Sequence, residues 1–159
     1  MKLATECGEW QDGQARTMRN HSGRCNWLPI WDATSSTLPG DTVGKSEHLL
    51  GELIRANRDK KIYTATKMPP KNFQWPSTRE FSLDDCFPPD HIEEYVSKSL
   101  KNAGLDSFDL MQFHTWEDSW LDDDRGIKKM SDLKSQGLFH AIGISLNRWE
   151  PWNGIRAVE

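Results

Sequence analysis

The sequence predicts a parallel α/β fold, in which strands and helices alternate along the chain. Three observations support this prediction: four short apolar or β-branched runs, helical apolar spacing between consecutive runs, and one polar residue at the end of each run. Those polar residues are Asp32, Lys67, His114 and Ser145, separated by 35, 47 and 31 positions. A strand, a helix and two loops need roughly 30 residues or more. Because parallel strands bring their carboxyl ends to one edge, we expect these four side chains to share one site.

Composition limits the class of protein. The chain has 159 residues, a length sufficient for one domain with a hydrophobic core. Its formal net charge is −4, which indicates no basic surface for binding nucleic acid. Charged residues make up 28% and hydrophobic residues 36%, which indicates a soluble globular protein without a membrane span. The N-terminus lacks the apolar stretch of a signal peptide, and three widely spaced cysteines indicate reduced thiols, so we predict a cytoplasmic protein. The histidines show no metal-ligand spacing, and we predict no metal.

The N-terminal part of the chain holds the least regular pattern. We interpret residues 1–26 as an irregular lead-in, with a short strand at 3–7 as the alternative. Residues 27–32 have the apolar character of a strand, although Pro29 cannot donate to a ladder. A loop rich in Ser, Thr, Pro and Gly follows over residues 33–45.

The first helix and the second strand come next. Ser46 is the expected helix N-cap and Asn57 the expected end. The helical spacing predicts an inward face made of Leu49, Leu50, Leu53 and Ile54. Residues 61–66 are a β-branched and aromatic strand that ends just before Lys67. The stretch 68–89, rich in proline and aromatic residues, is predicted to be a long loop without regular structure that suits the wall of a cleft.

A second helix precedes the third strand. Asp90 is its expected N-cap and Gly104 its expected left-handed stop. Its predicted inward residues, four apart, are Ile92, Val96 and Leu100. Residues 108–113 are near-continuously apolar, which predicts a strand buried on both faces.

An acidic loop at 115–125 follows that strand. Its tryptophans, Trp116 and Trp120, fit two roles, packing or an aromatic substrate wall, and the sequence does not separate them. The acidic run 122–124 is interpreted as solvated.

The last predicted elements are a helix, a strand and a helix start. The helix covers residues 126–136, and Gly137 is its expected stop. The residues predicted to face inward are Ile127, Met130 and Leu133. A buried strand over 138–145 and a helix beginning near Pro151 complete the pattern.

Taken alone, Asp32 is more typical of a strand-end turn and His114 of a structural histidine. Lys67 is more informative, because a lysine at a strand end must reach water or meet a carboxylate, and pairing with Asp32 is the favoured interpretation. A site is indicated because Asp32, Lys67, His114 and Ser145 all fall at the ends of predicted strands.

Four stretches in this order resemble the aldo/keto reductases, which are NADP(H)-dependent enzymes built on a (β/α)8 TIM barrel. The matching stretches are Gly44-Lys45-Ser46-Glu47 with Leu50-Gly51, Thr66-Lys67, the run from Asp109 to His114, and the run from Gly137 to Asn147. The resemblance covers residues 27–159 and implies the reduction of aldehydes or ketones to alcohols by hydride transfer. We therefore expect a partial barrel of about the first five βα units, with a small-molecule carbonyl substrate.

The resemblance also implies roles for individual residues. The family uses an Asp, Tyr, Lys and His tetrad, of which Asp32, Lys67 and His114 match three members. Ser145 matches the serine that binds the nicotinamide carboxamide, and Asn147 matches the following asparagine with an offset of one residue. NADP(H) is the implied cofactor.

Two departures from the family pattern shape the expected activity. The catalytic tyrosine is missing, because the two candidate registers hold Thr37 and Asp41 and no tyrosine precedes Tyr63. A (β/α)8 barrel takes about 250 residues, so the units that hold the rest of the cofactor are not in this sequence. We expect reduced or no NADP(H) affinity and impaired activity. The alternative is a non-catalytic relative or truncated product that binds or oligomerises through the open edge of its last strand.

Overall fold

The computed structural model describes residues 30–33, 44–74, 76–147, 150 and 152–158. Within them, strands and helices alternate in the predicted order. The strands are β1 (Ile30–Ala33), β2 (Tyr63–Met68), β3 (Phe108–His114) and β4 (Phe139–Ser145). The helices are α1 (Lys45–Ala56), α2 (Leu83–Cys86), α3 (Pro89–Ala103), α4 (Arg125–Ser135) and α5 (Ile155–Val158), and a 3-10 turn spans Asp118–Asp122. The predicted lead-in at 1–26 lies outside the described residues.

All four strands are parallel, and their order in the sheet, β1-β2-β3-β4, follows the chain. Neighbouring helices contact one another in the same succession, α1 against α3 and α3 against α4. In a doubly wound sheet the strand order changes direction at one point, and helices cover both faces. In the wall of a barrel the strands follow one another in chain order, and the helices lie on the outer face. The structure therefore confirms the predicted parallel α/β fold as part of a barrel.

The core lies between the sheet and the helices. Met68, Met111 and Phe113 are fully buried on the helix-facing side of the sheet. The helices contribute the predicted inward residues Ile92, Val96, Leu100, Met130 and Leu133, with Ile127 packed against them. The helical spacing thus correctly predicted the inward faces of α3 and α4.

Helix α1 begins differently from the prediction. Gly44, at φ 87°, is its N-cap, so the expectation that Ser46 caps the helix is wrong. A Cβ at Gly44 would stand 2.4 Å from the Asn102 side-chain nitrogen, so glycine allows both the left-handed backbone and the approach of α3. Leu50 is buried but Leu49 is 53% exposed, so the inward face of α1 is narrower than predicted. The helix ends at Asn57, as expected.

Two residues of α1 explain its close packing against α3. Glu47 is 1% exposed and accepts hydrogen bonds from Thr66 Oγ1 on β2 at 3.1 Å and Asn102 Nδ2 on α3 at 2.8 Å. A Cβ at Gly51 would stand 1.9 Å from the Ala103 carbonyl oxygen, so only glycine fits there. The Gly-Lys-Ser-Glu and Leu-Gly stretches therefore serve helix packing.

The stretch between β2 and α3 is more ordered than predicted. It contains α2, which opens with a capping box in which Ser82 and Asp85 exchange side-chain and backbone hydrogen bonds. The prediction that 68–89 lacks regular structure is therefore wrong. Asp90 is not the N-cap of α3 either: Pro88 is the cap and Pro89 the first helical residue, where a missing N–H costs nothing. Gly104, at φ 63°, ends α3 as predicted.

Strand β4 is less buried than predicted. It is an edge strand of the described sheet, and its residues His140 and Ala141 are exposed. In β3, Leu110 and Gln112 are only half-buried. The expectation that both strands are buried on both faces is wrong, because the described helices pack against one face of the sheet.

Candidate active site

Strand register places the predicted site residues on one face of the sheet. Lys67 pairs with Gln112, which lies two residues before His114, and His114 pairs with Ser145. Alternate residues of a strand point to the same side, so these three side chains share a face. That face is opposite to the one on which Met68 and Phe113 pack against the helices, which makes it the interior of the barrel wall.

Asp32 is assigned to the same face of the sheet from the backbone pairing of β1 with β2. It pairs with Ala65, two residues before Lys67, and so occupies a position on the same face. Its side chain is outside the description, and the predicted pairing with Lys67 stays a prediction.

Lys67 lies inside β2, whereas the prediction placed it just past the strand. The strand covers Tyr63–Met68, two residues later than the predicted 61–66, because the ladder to β3 continues to Met68. The Lys67 side chain is half-buried. His114 and Ser145 are the last residues of β3 and β4, as the strand-end pattern predicted. With adjacent strands about 4.8 Å apart and a rise of about 3.3 Å per residue, the Lys67 and His114 Cα atoms are about 8 Å apart.

Asn147 lies two residues beyond β4, beside a pocket of about 410 Å³. The pocket joins the segment before α2 to the segment after β4, and its lining residues are Pro76, Ser77, Thr78, Arg79, Asn147, Glu150 and Trp152. A hydrogen bond from the Ser77 N–H to Thr115 Oγ1 at 2.9 Å fixes the pocket-lining segment before α2 to the segment that follows β3. Of the predicted site residues, Asn147 lines this pocket, whereas Lys67, His114 and Ser145 are not part of its lining.

Neither of the two tyrosines can act beside Lys67. Tyr63 is at the amino end of β2, about 13 Å along the strand from Lys67. Tyr95 is 8% exposed and belongs to α3, where its ring lies 6.0 Å from that of His91. The structure thus locates both phenols away from the strand-end cluster.

The two loop tryptophans pack in the core. Trp116 and Trp120 are 1% and 3% exposed, and their rings meet at 5.6 Å in an edge-to-face arrangement. Trp120 also packs against Phe87, and its indole N–H donates to the Phe81 carbonyl at 2.8 Å. Of the two roles the sequence left open, packing is the one the structure supports.

The acidic run 122–124, which begins at the last residue of the 3-10 turn, is at the surface, as predicted. Asp123 and Asp124 pair with Arg125 and Lys128. These charges are exposed, so they contribute little to stability.

Sequence reasoning missed one notable group, Glu117. Its side chain is 1% exposed, and neither carboxylate oxygen has a hydrogen-bond partner among the described residues. Burial raises the pKa of the Glu117 carboxyl, while the nearby Asn153 amide and the charge of Arg79 oppose that rise. In the sequence Glu117 is one acid in an acidic loop, and nothing there marks it as buried.

Comparisons with known proteins agree with this geometry. The model of the aldo/keto reductase family matches residues 42–156. An aldo-keto reductase from Bacillus halodurans in its holo form is 25% identical with a TM-score of 0.54, covering 75% of this chain and 37% of that one. A putative aldo-keto reductase from Pseudomonas aeruginosa is 24% identical with a TM-score of 0.53, covering 73% and 41%. No match was found among the curated proteins.

A further solved structure adds the cofactor to this comparison. An aldo-keto reductase from Klebsiella pneumoniae in complex with NADPH shares the fold at 17% identity, with a TM-score of 0.54 over 77% of this chain and 36% of that one. The chain thus spans about two-fifths of the length of the solved structures it matches. Because the family model covers more than two thirds of the sequence, this chain belongs to the aldo/keto reductase family.

Proposed function

We propose that this chain carries the strand-end part of an NADPH-dependent site that reduces aldehydes or ketones to alcohols. The observation that supports it is the common face of Lys67, His114 and Ser145, in the order in which the family's catalytic and nicotinamide-binding groups occur. Asp32 is proposed as the charge partner of Lys67, from its register position on that face.

The geometry suits carbonyl reduction. When hydride reaches a carbonyl carbon, the oxygen gains negative charge, and a preorganised ammonium or imidazole N–H stabilises that charge. Lys67 and His114 supply these groups on adjacent strands. NADPH, when bound, supplies the hydride.

The residues present fit the nicotinamide end of the cofactor. Ser145 closes β4 on the site face, and Asn147 lines the pocket beside it. A hydroxyl and a carboxamide there would hold the nicotinamide carboxamide. We expect weak affinity, because these residues contact only one end of NADPH.

Without a tyrosine beside Lys67, proton transfer to the alkoxide depends on His114 or water. A lost general acid typically costs a factor of about 10²–10⁴. We therefore expect slow turnover.

The test is NADPH fluorescence titration together with aldehyde-dependent NADPH loss. We expect weak binding and a slow rate for the wild type, and Lys67→Met is expected to abolish the rate. Lys71→Met, at an exposed lysine of the following segment, is the matched control and should behave as wild type. No NADPH binding at millimolar concentration, or equal rates for the two variants, would contradict the proposal.

A second candidate function is self-association through the β4 edge. His140 and Ala141 are exposed on this strand, and the neighbouring Leu146, Trp152 and Ile155 are 40%, 55% and 52% exposed. An open strand edge beside an apolar patch favours pairing with a second chain.

Sedimentation velocity separates this candidate from a monomer. Ile155→Lys should dissociate the assembly, whereas Leu49→Lys, at a leucine on α1 that is 53% exposed, should not. A wild-type chain that stays monomeric at the highest concentration reached in the centrifuge would rule out this candidate.

We also infer that the protein works in the cytoplasm, on small carbonyl compounds and not on nucleic acid. Cys86 is a free, buried thiol, which suits a reducing compartment. Within the described ranges, every helix is too short or too polar to cross a bilayer.

A further inference from the structure

The segment of residues 115–118 carries none of the proposed catalytic groups, but it directly follows His114 at the end of β3. The ladder between β2 and β3 ends where Met68 pairs with Phe113, one residue before His114. Contacts beyond the strand therefore help to set where His114 stands relative to Lys67.

Ser77, from the segment that follows β2, holds Thr115 through two hydrogen bonds. The Ser77 N–H donates to Thr115 Oγ1 at 2.9 Å, and Ser77 Oγ donates to the Thr115 carbonyl at 3.2 Å. Ser77 is 1% exposed and Thr115 is 6% exposed, so removing one partner leaves a buried polar group unsatisfied, which is costly. This pair joins the segment after the strand of Lys67 to the residue next to His114.

Asn153, from the segment that follows β4, holds the next residues along and is 5% exposed. Its Nδ2 donates to the Trp116 carbonyl at 3.3 Å, and its Oδ1 accepts from the Asp118 N–H at 2.8 Å. The Trp116 N–H donates to the Ser145 carbonyl at 3.0 Å, which extends the pairing of β3 with β4 past His114. The residues after His114 are thus tied to the segments that follow both neighbouring strands.

We infer that Ser77 and Asn153 are positioning residues for His114, and that their bonds to residues 115–118 form a clamp between the segments after β2 and β4. The inference rests on the proposed reduction at the face shared by Lys67 and His114. Both positioning residues act through the backbone next to His114. Displacing a catalytic group by about 1 Å can cost about 10²-fold in rate, which sets the scale of the effect that the clamp prevents.

The first test is the rate of aldehyde-dependent NADPH loss in Thr115→Val, which removes the acceptor of the Ser77 N–H and keeps the shape of the side chain. We expect kcat to fall by about 10- to 100-fold. The KM for NADPH should change little, because the proposed nicotinamide contacts belong to β4 and the segment after it. Thr115→Ser keeps the hydroxyl and should restore most of the rate.

Thr64→Val is the matched control for this test. Thr64 is also 6% exposed, and its hydroxyl donates to Asp109 Oδ2 at 3.0 Å, but it lies near the amino end of β2. We expect Thr64→Val to keep the wild-type kcat. Equal rates for Thr115→Val and Thr64→Val would overturn the inference.

Amide hydrogen exchange tests the clamp without any turnover. Asn153→Ala removes two hydrogen bonds, so the Trp116 N–H should exchange faster by about tenfold or more relative to the amides of residues 110–112 in the middle of β3. Asn102→Ala is the matched control, because it removes a side-chain bond to Glu47 between α1 and α3, and it should leave that ratio unchanged. A general loss of stability speeds all these amides together, so an unchanged ratio in Asn153→Ala would overturn the clamp.

The two tests separate this inference from the proposed function. If the wild type shows no aldehyde-dependent NADPH loss, the proposed reduction fails, and the exchange of the Trp116 N–H still decides whether the clamp exists. If the wild type reduces the aldehyde and Thr115→Val does so equally fast, the reduction stands and the positioning role fails.

Discussion

The contact between α1 and α3 makes Gly51→Ala the most decisive stability test. A Cβ at Gly51 would stand 1.9 Å from the Ala103 carbonyl oxygen and 2.8 Å from its carbonyl carbon. Those atoms belong to helix backbone and cannot rotate away, so the two helices would have to separate.

The expected magnitude is the difference between two effects. Alanine gains about 1 kcal/mol of helix propensity over glycine, whereas overpacking a core contact costs about 1–3 kcal/mol and more where backbone must move. Taking the upper end, we expect a net loss of about 2 kcal/mol. For a chain of this size that lowers Tm by about 4–8 °C.

Urea denaturation followed by circular dichroism measures this loss directly. Gly126→Ala is the matched control: it is also a helical glycine, but its nearest neighbour is a Leu83 methyl at 3.2 Å, which can shift. We expect Gly126→Ala to stay within about 1 kcal/mol of wild type. A Gly51→Ala variant as stable as wild type would refute the reasoning that α3 backbone excludes any side chain there.

Three further predictions follow from buried or capped groups. Glu47→Ala should lower the free energy of unfolding, measured by urea titration, by about 2–3 kcal/mol, because the Thr66 hydroxyl and the Asn102 amide lose their hydrogen-bond acceptor. Glu47→Gln should lower the free energy of unfolding by a smaller amount. Burial raises the pKa of the Cys86 thiol to about 11, so in a variant whose other two cysteines are serine, Ellman's reagent at pH 8 should react only after unfolding. Hydrogen bonds from Ser82 lower the pKa of Asp85, so its stabilisation is complete above about pH 4 and is lost as pH falls through the folded-state pKa. Asp85→Asn should therefore lower Tm at pH 7 but not at pH 2.

The strand-end pattern predicted the common face of Lys67, His114 and Ser145 better than it predicted the bounds of the strands that carry them. Lys67, His114 and Ser145 share a face because their strands pair in consecutive order. That order follows from βα spacing, which is a local property of the sequence. The bounds of β2 moved by two residues because the ladder to β3 sets where a strand ends.

The errors in the prediction have a common cause in long-range contacts. Ser46 is an excellent N-cap type, yet the helix begins at Lys45 and Gly44 is the cap. Position 44 lies so close to the Asn102 side chain of α3 that a Cβ would clash there, a contact that the local sequence does not reveal. The apolar composition of β4 suggested burial on both faces, yet the strand is at the sheet edge.

By itself the sequence determined the alternation of strands and helices, the inward faces of α3 and α4, and the family to which the chain belongs. These depend on periodicity and on short motifs, which are local. Only the tertiary structure decided that Trp116 and Trp120 pack, that Glu47 and Gly51 join α1 to α3, and that Glu117 is buried. Burial and close approach arise between segments tens of residues apart, and a carboxylate looks the same in a sequence whether water or a core surrounds it.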